Sequence, residues 1–173
     1  MKSIRSESSL LIEFLKRKSS TSTGIDVSIY RGIEVIIEVL ELLVAIPVIR
    51  SGDILYVSPH FGRAPYIAFA EISEKSFKIL DVVENPYSML RHGRGRVITD
   101  IIAPRGVNAV IVIEIGEGAF NILKRYGVKI YRLSSSRELI RVEDALRSFS
   151  EGLIEEVEEP WIHEHEHEYE EHH

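Results

Sequence analysis

The chain has 173 residues, a formal net charge of −6 and no cysteine. The missing thiols exclude disulfides, thiolate catalysis and cysteine-ligated iron–sulfur clusters. The longest apolar run, Leu42 to Ile49, is far shorter than the roughly 18 residues of a membrane helix. Glu7 and Glu13 interrupt the N-terminal region, so we expect no secretory signal and a cytoplasmic location. Abundant Ile, Val, Glu and Arg, without glutamine, are typical of a thermophilic source.

The charge is divided unevenly between a body and a C-terminal tail. Residues 151–173 contain ten glutamates and neither lysine nor arginine, so the first 150 residues carry all 21 basic residues against 17 acidic ones. This body is not basic enough to indicate nucleic-acid binding. From residue 153 we predict a disordered acidic tail. Its histidines favour weak binding of zinc, nickel, cobalt or copper, with a purely solvated tail as the alternative; the candidate ligands are His163, His165 and His167.

The first 42 residues form an N-terminal extension that we predict to be helical. Residues 7–18 place four apolar side chains on one stripe, as in a short amphipathic helix. A polar linker follows at 19–24, and residues 28–41 favour a second helix, although their Ile and Val content also suits a strand. The extension suits a homodimer or protein-partner surface. A DNA-binding winged helix is a less favoured alternative, because the region is short and has no recognisable turn.

From residue 43 the pattern changes to short apolar strands separated by turns and helices. Five strands are predicted, at 43–49, 66–72, 77–84, 109–115 and 128–133. The second and third form an antiparallel hairpin, while the last two flank a helix and so favour parallel pairing. Three helices are predicted, at 96–103, 117–126 and 141–149, the first of them ended by Pro104. Residues 43–152 are therefore predicted to form one α/β domain with a mixed sheet of about five strands.

Two loops rich in glycine and arginine carry the two histidines that lie outside the tail. The first, residues 58–65, holds His60, a candidate metal ligand, and Arg63, which suits a carboxylate or phosphate. The second, residues 91–96, holds His92 and places two glycines before a helix, where free amides and the helix dipole favour an anion. The structural alternatives are a strand-capping turn for the first loop and a solvated basic loop for the second.

A third loop begins at Gly116, directly after a buried strand. Ligands gather at such positions in open α/β sheets. The neighbouring Glu117 would repel an anion, so we expect this loop to form a wall of a site and not an anion clamp.

Catalysis is not expected from the arrangement of acidic and histidine residues. Neither His60 nor His92 has a nearby acid that would orient its ring. The carboxylates that a two-metal nuclease would need are scattered along the chain: Asp53, Asp81, Asp100 and Glu114.

Several motifs, taken in order, resemble those of one known family. They are Ser58–Arg63, Asn85-Pro86, His92-Gly-x-Gly95, Gly106-Val107, Gly116 and Gly127–Tyr131. In this order and spacing they resemble the dinitrogenase iron–molybdenum cofactor biosynthesis domain, also found in nitrogenase accessory proteins that carry the cofactor or its precursor. The resemblance covers about residues 43–150. It implies a ribonuclease-H-like three-layer α/β fold without nuclease residues.

The resemblance also implies a ligand site where the two histidine loops meet, and a carrier activity without catalysis. The implied cargo is an anionic metal cluster of the iron–sulfur or iron–molybdenum type, held through histidine because there is no cysteine. His60 and His92 would be ligands, and Arg63 and Arg94 would neutralise charge. The implied binding residues are His60, Phe61, Gly62, Arg63, His92, Gly93, Arg94, Gly95 and Gly116. The alternative is a regulatory or protein-interaction module of the same fold, with a metal-sensing tail.

Overall fold

Seven strands form one sheet in the computed structural model, which describes residues 42–73, 76–134 and 138–161. The strands are β1 (Leu42–Ser51), β2 (Ile54–Val57), β3 (Tyr66–Ile72), β4 (Phe77–Glu84), β5 (Ala109–Val112), β6 (Lys129–Arg132) and β7 (Glu155–Glu156). Their order is β4-β3-β1-β5-β6-β7, and β2 pairs with β1. β5 is parallel to both β1 and β6, and the other pairings are antiparallel. The mixed sheet, the hairpin and the five predicted strands are confirmed, and β2 and β7 are additional.

Helices α1 (Glu117–Arg125) and α2 (Val142–Ser150) lie where the sequence predicts them. A third stretch, the 96–105 helix, starts as predicted and combines a π-helical part (Ile98–Ile102) with a 3-10 turn (Ala103–Arg105). The predicted end at Pro104 is wrong. Pro104 occupies the first turn of the 3-10 part, where its missing N–H is not needed, and Gly106 ends the helix with a φ of 67°.

The alternation of side chains along the strands divides the core between the two faces of the sheet. In β1, Val44, Ile46 and Val48 pack in the cluster that includes α2, whereas Ala45 packs in the cluster that includes α1 and the 96–105 helix. Because helices cover both faces, β5 is buried and apolar throughout its length. The described body therefore has a central sheet with a helical layer on each face.

Residues 153–161 do not form the disordered tail predicted from residue 153. Strand β7 pairs with β6, and the Val157 amide donates to the Ile130 carbonyl at 2.8 Å. At the end of this C-terminal strap (residues 155–161), Trp161 pairs with Ile115 through two backbone hydrogen bonds of 2.7 and 3.1 Å. The correction has a physical reason: β6 would otherwise be an open edge, and two glutamates of the strap find lysine partners. These ion pairs are Lys124–Glu158 at 3.0 Å and Lys129–Glu156 at 3.5 Å.

Some predictions fall outside the described residues. They are the N-terminal helices at 7–18 and 28–41, the linker at 19–24 and the tail histidines from residue 163 onward. Over the ranges that the structure describes, no helix is long and apolar enough to cross a membrane.

Candidate functional site

The His60 loop (residues 58–65) is fastened to the sheet on both sides of its histidine. The Ser58 amide donates to the Pro47 carbonyl at 2.8 Å, and the Ser58 hydroxyl donates to the His60 carbonyl at 3.3 Å. Phe61 is only 3% exposed and belongs to the core beneath α1. The backbone of the loop is therefore fixed, while the His60 side chain stays 52% exposed.

His60 has an acidic partner that the sequence analysis did not foresee. Its backbone forms a parallel bridge with Glu114, just beyond the end of β5, and its Nδ1 lies 2.9 Å from Glu114 Oε2. A neutral imidazole that donates from Nδ1 carries its lone pair on Nε2, at the opposite edge of the ring. The prediction that no acid orients His60 is therefore wrong. Glu114 is distant in sequence, and only the packing of the His60 loop against β5 brings the two side chains together.

The His92 loop (residues 91–96) packs between the His60 loop and α1 at two glycines. A Cβ added at Gly62 would lie 3.2 Å from Cβ of Arg94, and one added at Gly95 would lie 2.8 Å from Cδ1 of Ile122 in α1. Both contacts are closer than a larger side chain accepts without displacement, so glycine permits this approach. The structure thus brings Gly62 and Arg94 together and seats Gly95 on α1.

Asn85 fastens the end of the His60 loop to the Tyr87 turn, a role that the sequence did not indicate. Its side chain is buried, and Nδ2 donates to the Ala64 carbonyl at 2.8 Å while Oδ1 accepts from the Tyr87 amide at 3.1 Å. The Asn85 amide also donates to the Pro65 carbonyl at 2.8 Å. The Asn85-Pro86 pair indicated only the end of a hairpin. Its burial is a tertiary property with no local signal.

The His92 loop presents backbone donors at the start of the 96–105 helix. The carbonyls of residues 93, 94 and 95 accept the first bonds of that helix, at 3.1, 3.2 and 3.0 Å. Within the described residues, the amides of residues 93–95 donate to no protein acceptor. Gly93 has a φ of 80°, which favours glycine there. Free amides at the start of a helix are suited to an anion.

The arginines around these loops differ in how firmly they are held. Arg94 Nε donates to the Leu90 carbonyl at 2.6 Å, and Arg96 pairs with Asp100 at 3.3 Å while lying 4.9 Å from the Tyr87 ring centroid. Arg63 and Arg91 are exposed, and neither forms an ion pair with another described residue. The positive charge available to an anion therefore comes from Arg63 and Arg91, and from the part of Arg94 that its carbonyl contact leaves free.

A hydrogen-bonded cluster holds Arg96 at the base of the His92 loop. The Tyr87 hydroxyl donates to Asp100 Oδ2 at 2.5 Å, and the Thr99 hydroxyl donates to Asp100 Oδ1 at 2.8 Å. Tyr87, followed by Thr99, lowers the pKa of the Asp100 carboxyl below its ordinary value. The same bond raises the pKa of the Tyr87 hydroxyl. These side chains bond to one another through Asp100. Their part is therefore to support the base of the His92 loop.

His92 and Gly116 complete the set of predicted site residues. His92 is exposed and has no polar partner in the described part of the chain. Gly116 caps the start of α1, two residues after Glu114, and its carbonyl accepts from the Phe120 amide at 3.0 Å. The adjacent Glu117 is exposed. Across residues 42–73, 76–134 and 138–161, no three His, Asp or Glu side chains are grouped as a metal-ion site would require.

The comparisons with known proteins place this chain in a family. The family model described as dinitrogenase iron-molybdenum cofactor matches residues 43–152. The chain belongs to this family. An uncharacterized protein of Methanocaldococcus jannaschii is 31% identical over 123 residues, which are 71% of this chain and 98% of that protein.

Two solved structures resemble the family domain of this chain. The NMR structure of a Thermotoga protein, described as NifB and placed in the DUF35 family, is 31% identical with a TM-score of 0.56, and the match covers 70% of this chain and 98% of that one. The apo orange protein of Desulfovibrio gigas is 22% identical with a TM-score of 0.58, covering 69% and 96% respectively, and supports the fold alone. The family match ends at residue 152, so the C-terminal strap lies outside it.

A separate cavity of about 400 Å³ lies beside α2. Among its lining residues are Arg132, Asp144, Ser148 and Glu155. It contains two carboxylates for one arginine and no histidine, so its chemistry suits neither an anion nor a soft metal. The histidine loops are the better candidate site, although their surface is open.

Proposed function

We propose that this family member is a non-catalytic carrier that holds an anionic metal cluster between the His60 loop and the His92 loop. The observation that carries the proposal is the packing of Gly62 against Arg94, which brings the two loops together. The family match supports a cargo of the iron–molybdenum type. An iron–sulfur cluster is the alternative cargo, because it is also anionic and would use the same histidine ligands and backbone donors. Such a cluster is cargo to be received and released, and is not a resident cofactor.

Each predicted residue has a distinct part in this proposal. His60 binds a metal atom of the cluster through Nε2, and His92 is a second ligand on the opposing loop. Arg63 and the free part of Arg94 neutralise negative charge.

The remaining predicted residues act through the backbone. The amides of Gly93 and Gly95 donate to sulfide or oxygen atoms of the cluster, as free amides do for other anions. Gly116 borders the site beside Glu114, and Gly62 lets Arg94 approach. Phe61 is buried, so its part is to anchor the His60 loop in the core.

We also propose the ribonuclease-H-like fold that the family resemblance implies. The sheet order β4-β3-β1-β5-β6, with parallel strands from β1 onward, and the helical layer on each face support it. The strap strand β7 is then an addition to that fold.

The carrier function is tested by anaerobic reconstitution of the full chain with ferrous iron, sulfide and molybdate. Bound metal per chain and the visible absorption are measured for the parent and for a His60→Ala/His92→Ala double variant, with the fold checked by circular dichroism. We expect the parent to retain a coloured cluster that the double variant loses. Equal retention by both proteins would reject the carrier site. Binding of a protein partner that survives both substitutions would favour the interaction module.

The tail histidines require a separate experiment. We propose that His163, His165 and His167 bind zinc, nickel, cobalt or copper weakly and independently of the cluster. The control protein should end after Trp161, because that residue pairs with Ile115 and an earlier end would disturb the edge of the site. Loss of nickel binding with unchanged cluster binding is the expected result. Unchanged nickel binding would reject a role for the tail.

A further inference from the structure

The carboxylate of Glu114 is mostly buried and lies against His60. Its side chain is 12% exposed, its backbone bridges His60, and its Oε2 lies 2.9 Å from His60 Nδ1. No other carboxylate of the described residues contacts His60. The contact is thus made by a mostly enclosed side chain whose backbone is held at the end of β5.

We propose that Glu114 is a positioning residue that holds His60 in the Nδ1–H tautomer and makes Nε2 its ligand-binding atom. The inference rests on the proposed function and specifies how its principal ligand is prepared. Carboxylates that accept from a ligating histidine fix its tautomer and ring orientation in many metal sites.

The direction of the effect follows from imidazole chemistry. In a neutral histidine side chain free in water, the proton resides mainly on Nε2, so the lone pair is on Nδ1. In this protein Nδ1 faces Glu114, so a lone pair there would meet a carboxylate and could reach no incoming metal. The Glu114 carboxylate reverses the preference by accepting from Nδ1–H, which leaves the lone pair on Nε2, at the opposite edge of the half-exposed ring.

The backbone makes this arrangement specific to the pair. Both members of the bridge are fixed independently, His60 by Ser58 and the buried Phe61, and Glu114 by its position between the buried Ile113 and Ile115. The side chains therefore meet without ordering a mobile loop, which limits the entropic cost of the bond.

The first test observes the tautomer directly in the full-length apo protein. Long-range ¹H–¹⁵N correlation spectra of ¹⁵N-histidine protein, recorded at mildly alkaline pH, distinguish Nδ1–H from Nε2–H rings, and His60→Ala assigns the signal. We expect the Nδ1–H pattern for the parent and a shift to Nε2–H in Glu114→Ala. Glu114→Gln, which keeps the shape and can present either its oxygen or its N–H, should give a mixture. An unchanged Nδ1–H pattern in both variants would overturn the proposal.

Glu114→Gln keeps the test valid if Glu114→Ala does not fold. Glu143→Gln is the matched control, because Glu143 is exposed in the first turn of α2 and contacts neither loop. The control should keep the parent tautomer. A tautomer change in the control equal to that in Glu114→Gln would also overturn the assignment to Glu114.

The second test measures retention of the cluster reconstituted from ferrous iron, sulfide and molybdate during a chelator chase. We expect Glu114→Ala to weaken retention by about 10–100-fold, as for other outer partners of metal ligands, with Glu114→Gln between it and the parent. Retention equal to the parent in a variant whose tautomer has shifted would overturn the functional part of the proposal. If no protein retains the cluster, the carrier function fails while the tautomer spectra still decide the role of Glu114.

Discussion

The two histidine loops differ in how firmly their histidine side chains are held. The His60 loop is bonded to β1 and to the end of β5, anchored by buried Phe61, and carries an imidazole already oriented by Glu114. The His92 loop is seated on α1 and on the His60 loop by its two close backbone contacts, yet His92 itself is exposed and has no polar partner among the described residues. One loop presents an oriented imidazole, and the other presents free amides and an imidazole without a polar partner among the described residues.

This difference suits the carrier function that we propose. A fixed ligand lowers the cost of binding, because the ring and its tautomer need no reorganisation. An unrestrained second ligand makes a weaker contact that can be exchanged for a ligand on a receiving protein. The comparison therefore predicts unequal effects for equivalent substitutions in the two loops.

The largest effect is expected at His60. His60→Ala should weaken retention of the reconstituted cluster by about 100-fold or more, because loss of a ligand costs at least as much as loss of its outer partner, about 10–100-fold. His92→Ala should weaken it by less than about 10-fold, the lower end of that range. The measurement is bound metal during a chelator chase. Equal losses of cluster retention in the two variants would contradict the expectation that His60 contributes more than His92.

The contact between the loops is the next target. Gly62→Val places a Cβ 3.2 Å from Cβ of Arg94 and adds two methyl groups beyond it. It should separate the loops and reduce cluster retention by about 10-fold while destabilising the fold by about 1–3 kcal/mol. Gly118→Ala is the matched control, because a Cβ there meets nothing within 4 Å and the residue lies in α1. That control should gain about 0.5–1 kcal/mol. Chemical denaturation and the chelator chase measure the two quantities, and full retention in Gly62→Val would remove the loop contact from the account.

Asn85 is the buried side chain that holds the end of the His60 loop. Asn85→Ala leaves the Ala64 carbonyl and the Tyr87 amide without their side-chain partner, so we expect a loss of about 1–3 kcal/mol in the free energy of unfolding. Asn121→Ala, at an exposed position of α1, should change it by less than about 0.5 kcal/mol. Urea unfolding followed by circular dichroism checks both values. Similar small effects for the two variants would show that the Asn85 side chain does not stabilise the fold through these two bonds.

The smallest effect concerns the Tyr87–Asp100 bond under the His92 loop. Because the folded-state pKa of Asp100 is lowered, its ionised form stabilises the fold above the unfolded pKa, and this contribution is lost as the pH falls through the folded value. Tyr87→Phe should therefore be less stable than the parent near neutral pH, with the difference shrinking in acid. Urea unfolding from about pH 6 to about pH 2 measures it. Tyr126→Phe is the exposed control, and a difference that grows in acid would contradict the sign.

Much of the fold could be predicted because its signals are local. The apolar runs of β1, β3 and β5, and the stripes of α1 and α2, follow from strand and helix periodicity. Strand β7 could not be predicted, because Glu155-Glu156 has poor strand propensity and forms a strand only against the open edge of β6. The 96–105 helix continues through Pro104 because a new 3-10 turn begins at Ala103. Pro104 then lies in a first turn, where its missing N–H is not needed.

The two loops of the candidate site could be predicted from the sequence, but the contacts that hold them could not. Glycine, arginine and histidine composition indicated both loops, but no local pattern connects His60 with Glu114 or buries Asn85 between Ala64 and Tyr87. The sequence also overstated the charge of the second loop, because Arg96 is occupied by Asp100 and Tyr87. These contacts arise from the packing of distant segments, which periodicity does not encode.

In the function that we propose, the cluster sits between the two loops with His60 as its principal ligand. The most direct measurement compares ¹⁵N-histidine spectra of the full chain before and after anaerobic reconstitution with ferrous iron, sulfide and molybdate. We expect the His60 ring signals to shift or broaden most, followed by those of His92, while signals of the tail histidines keep their positions. Changes confined to the tail histidines, with His60 unaffected, would contradict it.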